Sequence, residues 1–248
     1  MTYCIAIRID AGLCLVSDSR TNAGIDNIGT YSKMFSFGNP GERTVTILSA
    51  GNLATTQGVI GQIKRDIKKD ASENVLTLVS LEDIADYVGQ INRTQQDKHT
   101  SGDVNFEASF ILAGQLKGQK HEAFLIYPQG NYITTSRDTP FLQIGQGKYG
   151  KPILDRIINP ATTMETAALC ALVSMDSTMR SNLTVGPPIE VLMYYTDALT
   201  DTKRYRFDED SEFLRQLHSS WDERLKEAFN NMTPITWSKV WDQSVDAG

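Results

Sequence analysis

Thr2, Asp18 and Lys33 are the residue types that an N-terminal nucleophile requires. A threonine hydroxyl needs a base, and a residue at the start of a chain carries its own: an α-amine whose ordinary pKa of ~7.7–8.0 lies near working pH. Met1 precedes a small residue, so removal of the initiator methionine alone would expose Thr2. The positive charge of Lys33 would lower the pKa of the Thr2 amine and hydroxyl, and Asp18 would hold that lysine in place. Gly51, where an apolar strand gives way to a helix, could present its backbone N–H to the oxyanion of a tetrahedral intermediate. The plainer reading of Asp18 and Lys33 is a structural ion pair between neighbouring strands.

These residues act together only if strands bring them together. Thr2 to Ile9 and Leu13 to Asp18 are short apolar runs joined by Asp10-Ala11-Gly12, a hairpin with glycine placed for a left-handed bulge. With Ile9 opposite Leu13, Thr2 falls opposite Arg20 and diagonal to Asp18, on one face at the open end; a bulge would shift this register by one. Both hairpin faces are apolar, so the sheet is covered on both sides. Lys33 falls within a further strand, Thr30 to Phe37, between Tyr31 and Phe35, and Thr44 to Ala50 follows.

The period then becomes helical. Ile60, Ile63 and Ile67 share one face, and Ser80-Leu81-Glu82-Asp83 resembles a capping box before Ile84, Val88 and Ile91. Strands at 106–113, 123–127 and 132–135 precede helices at 151–158 and 163–173, then strands at 189–195 and 204–207. A last helix spaces Phe213, Leu217, Trp221 and Leu225 by four, as Trp237 and Trp241 are spaced in the tail. This order predicts an α+β fold of two packed sheets with helices outside. It forms a single domain over 1–248, with a helical extension from about 211 to 248.

Composition narrows the function. The chain has 248 residues with 40% hydrophobic content, and its 24 Lys+Arg against 30 Asp+Glu give a net charge of −6, which argues against a nucleic-acid partner. Cys4, Cys14 and Cys170 form neither a disulfide framework nor a metal motif and point to a reducing, cytoplasmic setting. No signal peptide or membrane span is read. His99, His121 and His218 lie in different elements and suggest no triad or metal cluster. Gly145-Gln146-Gly147-Lys148-Tyr149-Gly150 spells the dinucleotide-loop pattern, but a tight turn into a helix is the better reading because no second strand follows.

Thr2-Tyr3-Cys4-Ile5-Ala6-Ile7, Ser17-Asp18-Ser19-Arg20, Lys33 and Ser49-Ala50-Gly51 together resemble the start of a proteasome β-type subunit. The resemblance is closest to the bacterial ancestral β-subunit (Anbu) family and more distant to the protease HslV. It is carried further by Thr21-Asn22-Ala23-Gly24, Lys148-Tyr149-Gly150-Lys151-Pro152-Ile153-Leu154-Asp155 and Met175-Asp176-Ser177-Thr178-Met179-Arg180-Ser181-Asn182. It implies a four-layer αββα sandwich and a threonine-peptidase site at Thr2, Asp18 and Lys33. A homo-oligomer is also implied, ring-like or helical, of about 12 or more subunits. Asp176 and Ser181 match the acid and hydroxyl that the family places near its nucleophile. The HslV pattern further implies a structural Na⁺ on backbone carbonyls of Met175, Thr178 and Ser181; no cofactor is otherwise required. Gln146 stands where proteasome subunits usually carry a supporting serine between two glycines.

The function expected is therefore hydrolysis of amide bonds in a peptide or protein through an acyl-enzyme on Thr2. The alternatives are an assembly scaffold of the same fold without turnover and an amidase for a small molecule. An ATP-grasp-type ligase and a transglutaminase-like protein are the partners that the resemblance suggests.

Overall fold

The computed structural model of the chain describes residues 1–22, 28–98, 105–200 and 203–233. Ala23, Gly24, His99, Trp237 and Trp241 lie outside the described residues. Two units are distinguished, Met1–Ser211 and Glu212–Gly248.

The first unit holds two five-stranded antiparallel sheets and one small hairpin sheet. One large sheet is built from β1 (Tyr3–Ile9), β2 (Gly12–Ser17), β10 (Phe141–Gly145), β11 (Ile189–Tyr195) and β12 (Lys203–Phe207), in the order β10-β1-β2-β11-β12. The other runs β5 (Met34–Asn39), β6 (Arg43–Gly51), β7 (Ala108–Leu116), β8 (Glu122–Ile126) and β9 (Tyr132–Thr134) in sequence order. The small sheet pairs β3 (Arg20–Asn22) with β4 (Ile28–Thr30).

Both large sheets bury two faces, as their apolar runs require. Cys4, Ala6, Leu13 and Leu15 meet Met34, Leu48, Ile111 and Ala113 in the core between the sheets. On the far face of the second sheet, Val45, Ile47, Phe110 and Leu112 pack against Val59 and Ile63 of α1 (Leu53–Lys68) and Ile84 and Val88 of α2 (Leu81–Asp97). On the far face of the first sheet lie α3 (Gly147–Ile157) and α4 (Met164–Ser181), tied to β1 by the hydrogen bond between Tyr3 Oη and Ser174 Oγ at 2.7 Å. The layers are α, β, β, α. Ser80 caps α2 by accepting from Asp83 N at 3.0 Å, as its capping-box spelling requires.

The first hairpin departs from the expected register by one residue. Ile9 pairs with Gly12, so Leu13 and Leu15 share a face with Cys4 and Ala6, and Tyr3, Ile5 and Ile7 share theirs with Val16 and Cys14. Gly12 is the cause: instead of bulging in the turn it belongs to β2, where an added Cβ would lie 2.0 Å from Tyr194 O of the adjacent β11. The strand expected over 30–37 is interrupted, with β4 ending at Thr30 and β5 beginning at Met34. Lys33 sits in the bend, and its carbonyl still accepts from Ser49 N at 3.0 Å.

The second unit contains α5 (Glu212–Asn230), none of whose residues is buried. No helix of the described residues is long and apolar enough to cross a membrane.

Candidate active site

The register shift puts Asp18, not a diagonal neighbour, level with Tyr3. β2 has ended at Ser17, and the chain at Asp18 keeps one backbone bond to β1, Asp18 N to Tyr3 O at 3.2 Å. Its carboxylate turns inward. Asp18 Oδ1 accepts from Tyr3 N at 3.0 Å and from Lys33 Nζ at 2.8 Å, and Oδ2 accepts from Gly186 N at 3.4 Å. Lys33 Nζ donates a second bond to Arg20 O at 2.7 Å. Both side chains are buried, with 0% and 8% exposure, so the pair is desolvated, and backbone groups hold it on three sides. Burial pushes the Asp18 carboxyl above its ordinary value, and the Lys33 ammonium with the two N–H donors pulls against that rise.

Thr2 is fixed from below by the turn after β10. Gln146 N donates to Thr2 O at 2.8 Å, and Gly145 adopts φ +80°, where an added Cβ would stand 1.9 Å from that same oxygen. Tyr3 is anchored beside it: its hydroxyl meets Ser174 and the amide of Gln143, and Gly150 allows that approach because a Cβ there would meet Ser174 Oγ at 2.1 Å. Burial pushes the Tyr3 phenol up to about 12, so it stays neutral. Of the glycines that spell a dinucleotide loop, Gly145 and Gly150 thus serve close packing on Thr2 and Tyr3. α3 is followed by α4 with no parallel strand.

Gly51 ends β6 at φ +113°, where a Cβ would lie 2.4 Å from Glu107 O. Asn52 N points to β7, bonding Glu107 O at 2.9 Å, and Ser49 N points to the β5 side, bonding Lys33 O. Alternation along the strand therefore aims Gly51 N–H to the β5 side, beyond Met34 where β5 begins. That space is a cavity of about 550 Å³ lined by Thr2, Lys33, Gly51, Tyr31 and Phe35 among others. The α-amine of the chain, on Met1 at the cavity edge, is pushed below its ordinary value, first by burial and then by Lys33, with Asp18 opposing.

Asp176 and Ser181 are carried by α4. The helix expected to end at 173 continues as α4 to Ser181, so Asp176 lies on its buried side, Ser181 is exposed, and neither lines the cavity. The same extension engages the carbonyls expected to hold Na⁺: Met175 faces the next turn of helix, and Thr178 O accepts from Asn182 N at 2.9 Å. Met175 and Thr178, with their carbonyls engaged in this way, do not fit a cation cage as backbone ligands, and no step below runs through a cation. Among the described residues no group of three or more His, Cys, Asp or Glu could hold a metal ion. His121 is structural, with Nε2 against Ile9 O at 2.8 Å and Nδ1 against Thr196 Oγ1 at 3.1 Å. The Gln146 side chain reaches Met1 Sδ.

Several contributors escaped the sequence reading: the N–H groups of Tyr3 and Gly186 on Asp18, the Arg20 carbonyl on Lys33, and the Gln146 N–H on Thr2. Backbone groups leave no signature of residue type. The glycines at 145 and 186 were the available signal.

No protein-family model and no curated protein sequence matches the chain. Solved structures do. Anbu from Yersinia bercovieri is 41% identical with a TM-score of 0.90, over 95% of this chain and 100% of that one. The helical assembly of the Anbu complex from Pseudomonas aeruginosa is 41% identical at a TM-score of 0.92, over 96% and 99%. Anbu from Hyphomicrobium sp. strain MC1 is 40% identical at a TM-score of 0.88, over 94% and 99%.

Proposed function

This chain belongs to the Anbu family, and on that premise we propose that it is a threonine-type amide hydrolase whose nucleophile is Thr2, exposed by loss of Met1. The observation that carries the reading is the buried Asp18–Lys33 pair at 2.8 Å, whose lysine opens on the same cavity as Thr2 and the N–H of Gly51. An ion pair kept only for structure has no need of a cavity at its cationic end.

In the reaction, Thr2 Oγ attacks the substrate carbonyl carbon while its proton passes to the Thr2 α-amine. The oxyanion faces Gly51 N–H. Collapse breaks the C–N bond, the ammonium returns its proton to the leaving amine, and an ester remains on Thr2. Water then gives a proton to the amine and attacks that ester, releasing a carboxylic acid and restoring Thr2. Lys33 favours the free amine throughout, because a neighbouring cation disfavours the ammonium.

The substrate is a peptide or protein, and the working form is a homo-oligomer. The helical assembly of the relative from Pseudomonas aeruginosa supports the second point, as does α5, on which Leu225 and Phe229 are 53% and 73% exposed. A scaffold without turnover is the second reading, favoured by Gln146, whose amide stands over Met1 where a supporting serine would be.

Intact-mass measurement of the purified protein tests the first requirement, with loss of one methionine expected. Treatment with a peptide epoxyketone tests the second: a single adduct mapped to Thr2 is expected. A processed, assembled protein that forms no adduct supports the scaffold instead.

A further inference from the structure

The cavity at Thr2 carries a charge that the proposed hydrolysis does not use. One face of α1 lines it, through Leu53, Thr56, Ile60 and Lys64, at helical spacing. Lys64 is exposed and lies over the Phe35 ring, with Nζ 5.7 Å from the centroid. It has no ion pair among the described residues, whereas the other lysine of the cavity, Lys33, is neutralised by Asp18. Among the described residues no carboxylate lines the cavity, and the first turn of α1 carries no acidic residue, in a chain whose net charge is −6.

We propose that the cavity selects substrates bearing a carboxylate, bound by Lys64 a few residues from the reacting carbonyl. The proposal rests on the hydrolase reading above and names its substrate class. Eleven residues of helix separate Lys64 from Leu53, about 16 Å of rise, from which the lean of helical side chains toward the N-terminus subtracts at most the ~6 Å length of a lysine stem. The ammonium therefore stands ~10–16 Å along the helix from Leu53, the span of about three to five extended peptide residues. A side chain at the scissile position itself is too short. Tyr31, Phe35 and Ile60 give the intervening chain an apolar wall. The carboxylate comes from an acidic side chain or from a free chain terminus.

The Thr2→Ala protein, which binds without reacting, separates this idea from the chemistry. A fluorescent peptide scanned with Glu, Gln or Lys at each position, with free or amidated C-terminus, is titrated by polarisation. The expected result is about two- to fivefold tighter binding for Glu than for Gln at one or two positions, lost in Lys64→Gln and at high salt. Lys64→Glu reverses the order in favour of Lys. If only free-terminus peptides gain, the terminal carboxylate is the ligand. Equal binding of Glu, Gln and Lys peptides, no binding of any, or a preference indifferent to Lys64, overturns the proposal. Epoxyketones bearing Glu or Gln at the preferred position, used on the intact protein, report on Thr2 separately: failure of both to form an adduct removes the nucleophile reading while leaving the binding contrast standing.

Discussion

Asp18 and Lys33 are a pair in which each member is costly without the other. Removing one partner of a buried ion pair leaves an uncompensated charge and destabilises by about 3–5 kcal/mol, whereas replacing both by apolar groups is often neutral. Lys33→Met is therefore expected to lower the free energy of unfolding by about that amount, and Asp18→Leu/Lys33→Met by less than Lys33→Met alone, read from urea denaturation. A larger loss in the double variant would show the two groups to be independent. The pH dependence of Thr2 labelling reports the same charges. In the unprocessed chain the α-amine, on Met1, is pushed below its ordinary value first by burial and then by Lys33, and Asp18 opposes. Labelling needs the free Thr2 amine, which the same two charges face, so the rate rises with pH to a plateau. Losing a cation stabilises the ammonium: Lys33→Gln moves the midpoint to higher pH. Losing an anion does the reverse, so Asp18→Asn moves it lower. Shifts of the same sign in both variants would dismiss the electrostatic account.

The turn between β10 and α3 is the element that seats Thr2, the proposed nucleophile. Gly145 holds φ +80° with its α-carbon against Thr2 O, so Gly145→Ala incurs backbone strain and a collision at 1.9 Å together. The expected outcome is a loss of about 1–3 kcal/mol with Thr2 labelling slowed by more than stability explains; labelling at the parent rate would show that the turn does not set the nucleophile. At this scale the layered order was readable from periodicity, because α1, α2 and both large sheets bury apolar faces at regular spacing. Other features were not. The hairpin slipped by one residue because Gly12 answers to β11, a strand some 180 residues away in sequence. β10 escaped because Phe141–Gly145 is short and runs into a glycine turn. α4 outran its expected end because Ser174, Asp176 and Thr178 read as polar yet are buried: Ser174 bonds Tyr3, and Thr178 Oγ1 bonds Ser174 O at 2.9 Å. Thr2, Asp18 and Lys33, proposed as nucleophile, acid and tuning lysine, could be named from the sequence because their chemistry lies in residue type. The backbone donors around them belong to no residue type.

Over the whole molecule the reactive groups divide between a cavity and sealed cores. Burial pushes the thiols of Cys14 and Cys170 up to about 12 and about 11, and that of Cys4 upward as well, so all three stay protonated and inert at neutral pH. A thiol-specific reagent should leave the native protein unmodified and count three cysteines only after denaturation, which removes the thiols as competitors for an electrophile aimed at Thr2. The remaining surface question is α5. Leu225 and Phe229 lie one turn apart and largely exposed, with Met232 at 66% just beyond, an apolar stripe that solvent does not favour. A second copy of the chain covers it in the homo-oligomer proposed. Light scattering of the parent protein should then give a mass of several subunits, and Leu225→Glu/Phe229→Glu should reduce it. The unit Met1–Ser211 has its own two cores and keeps its near-ultraviolet dichroism in that variant. An unchanged mass would place the contacts between subunits elsewhere than on α5.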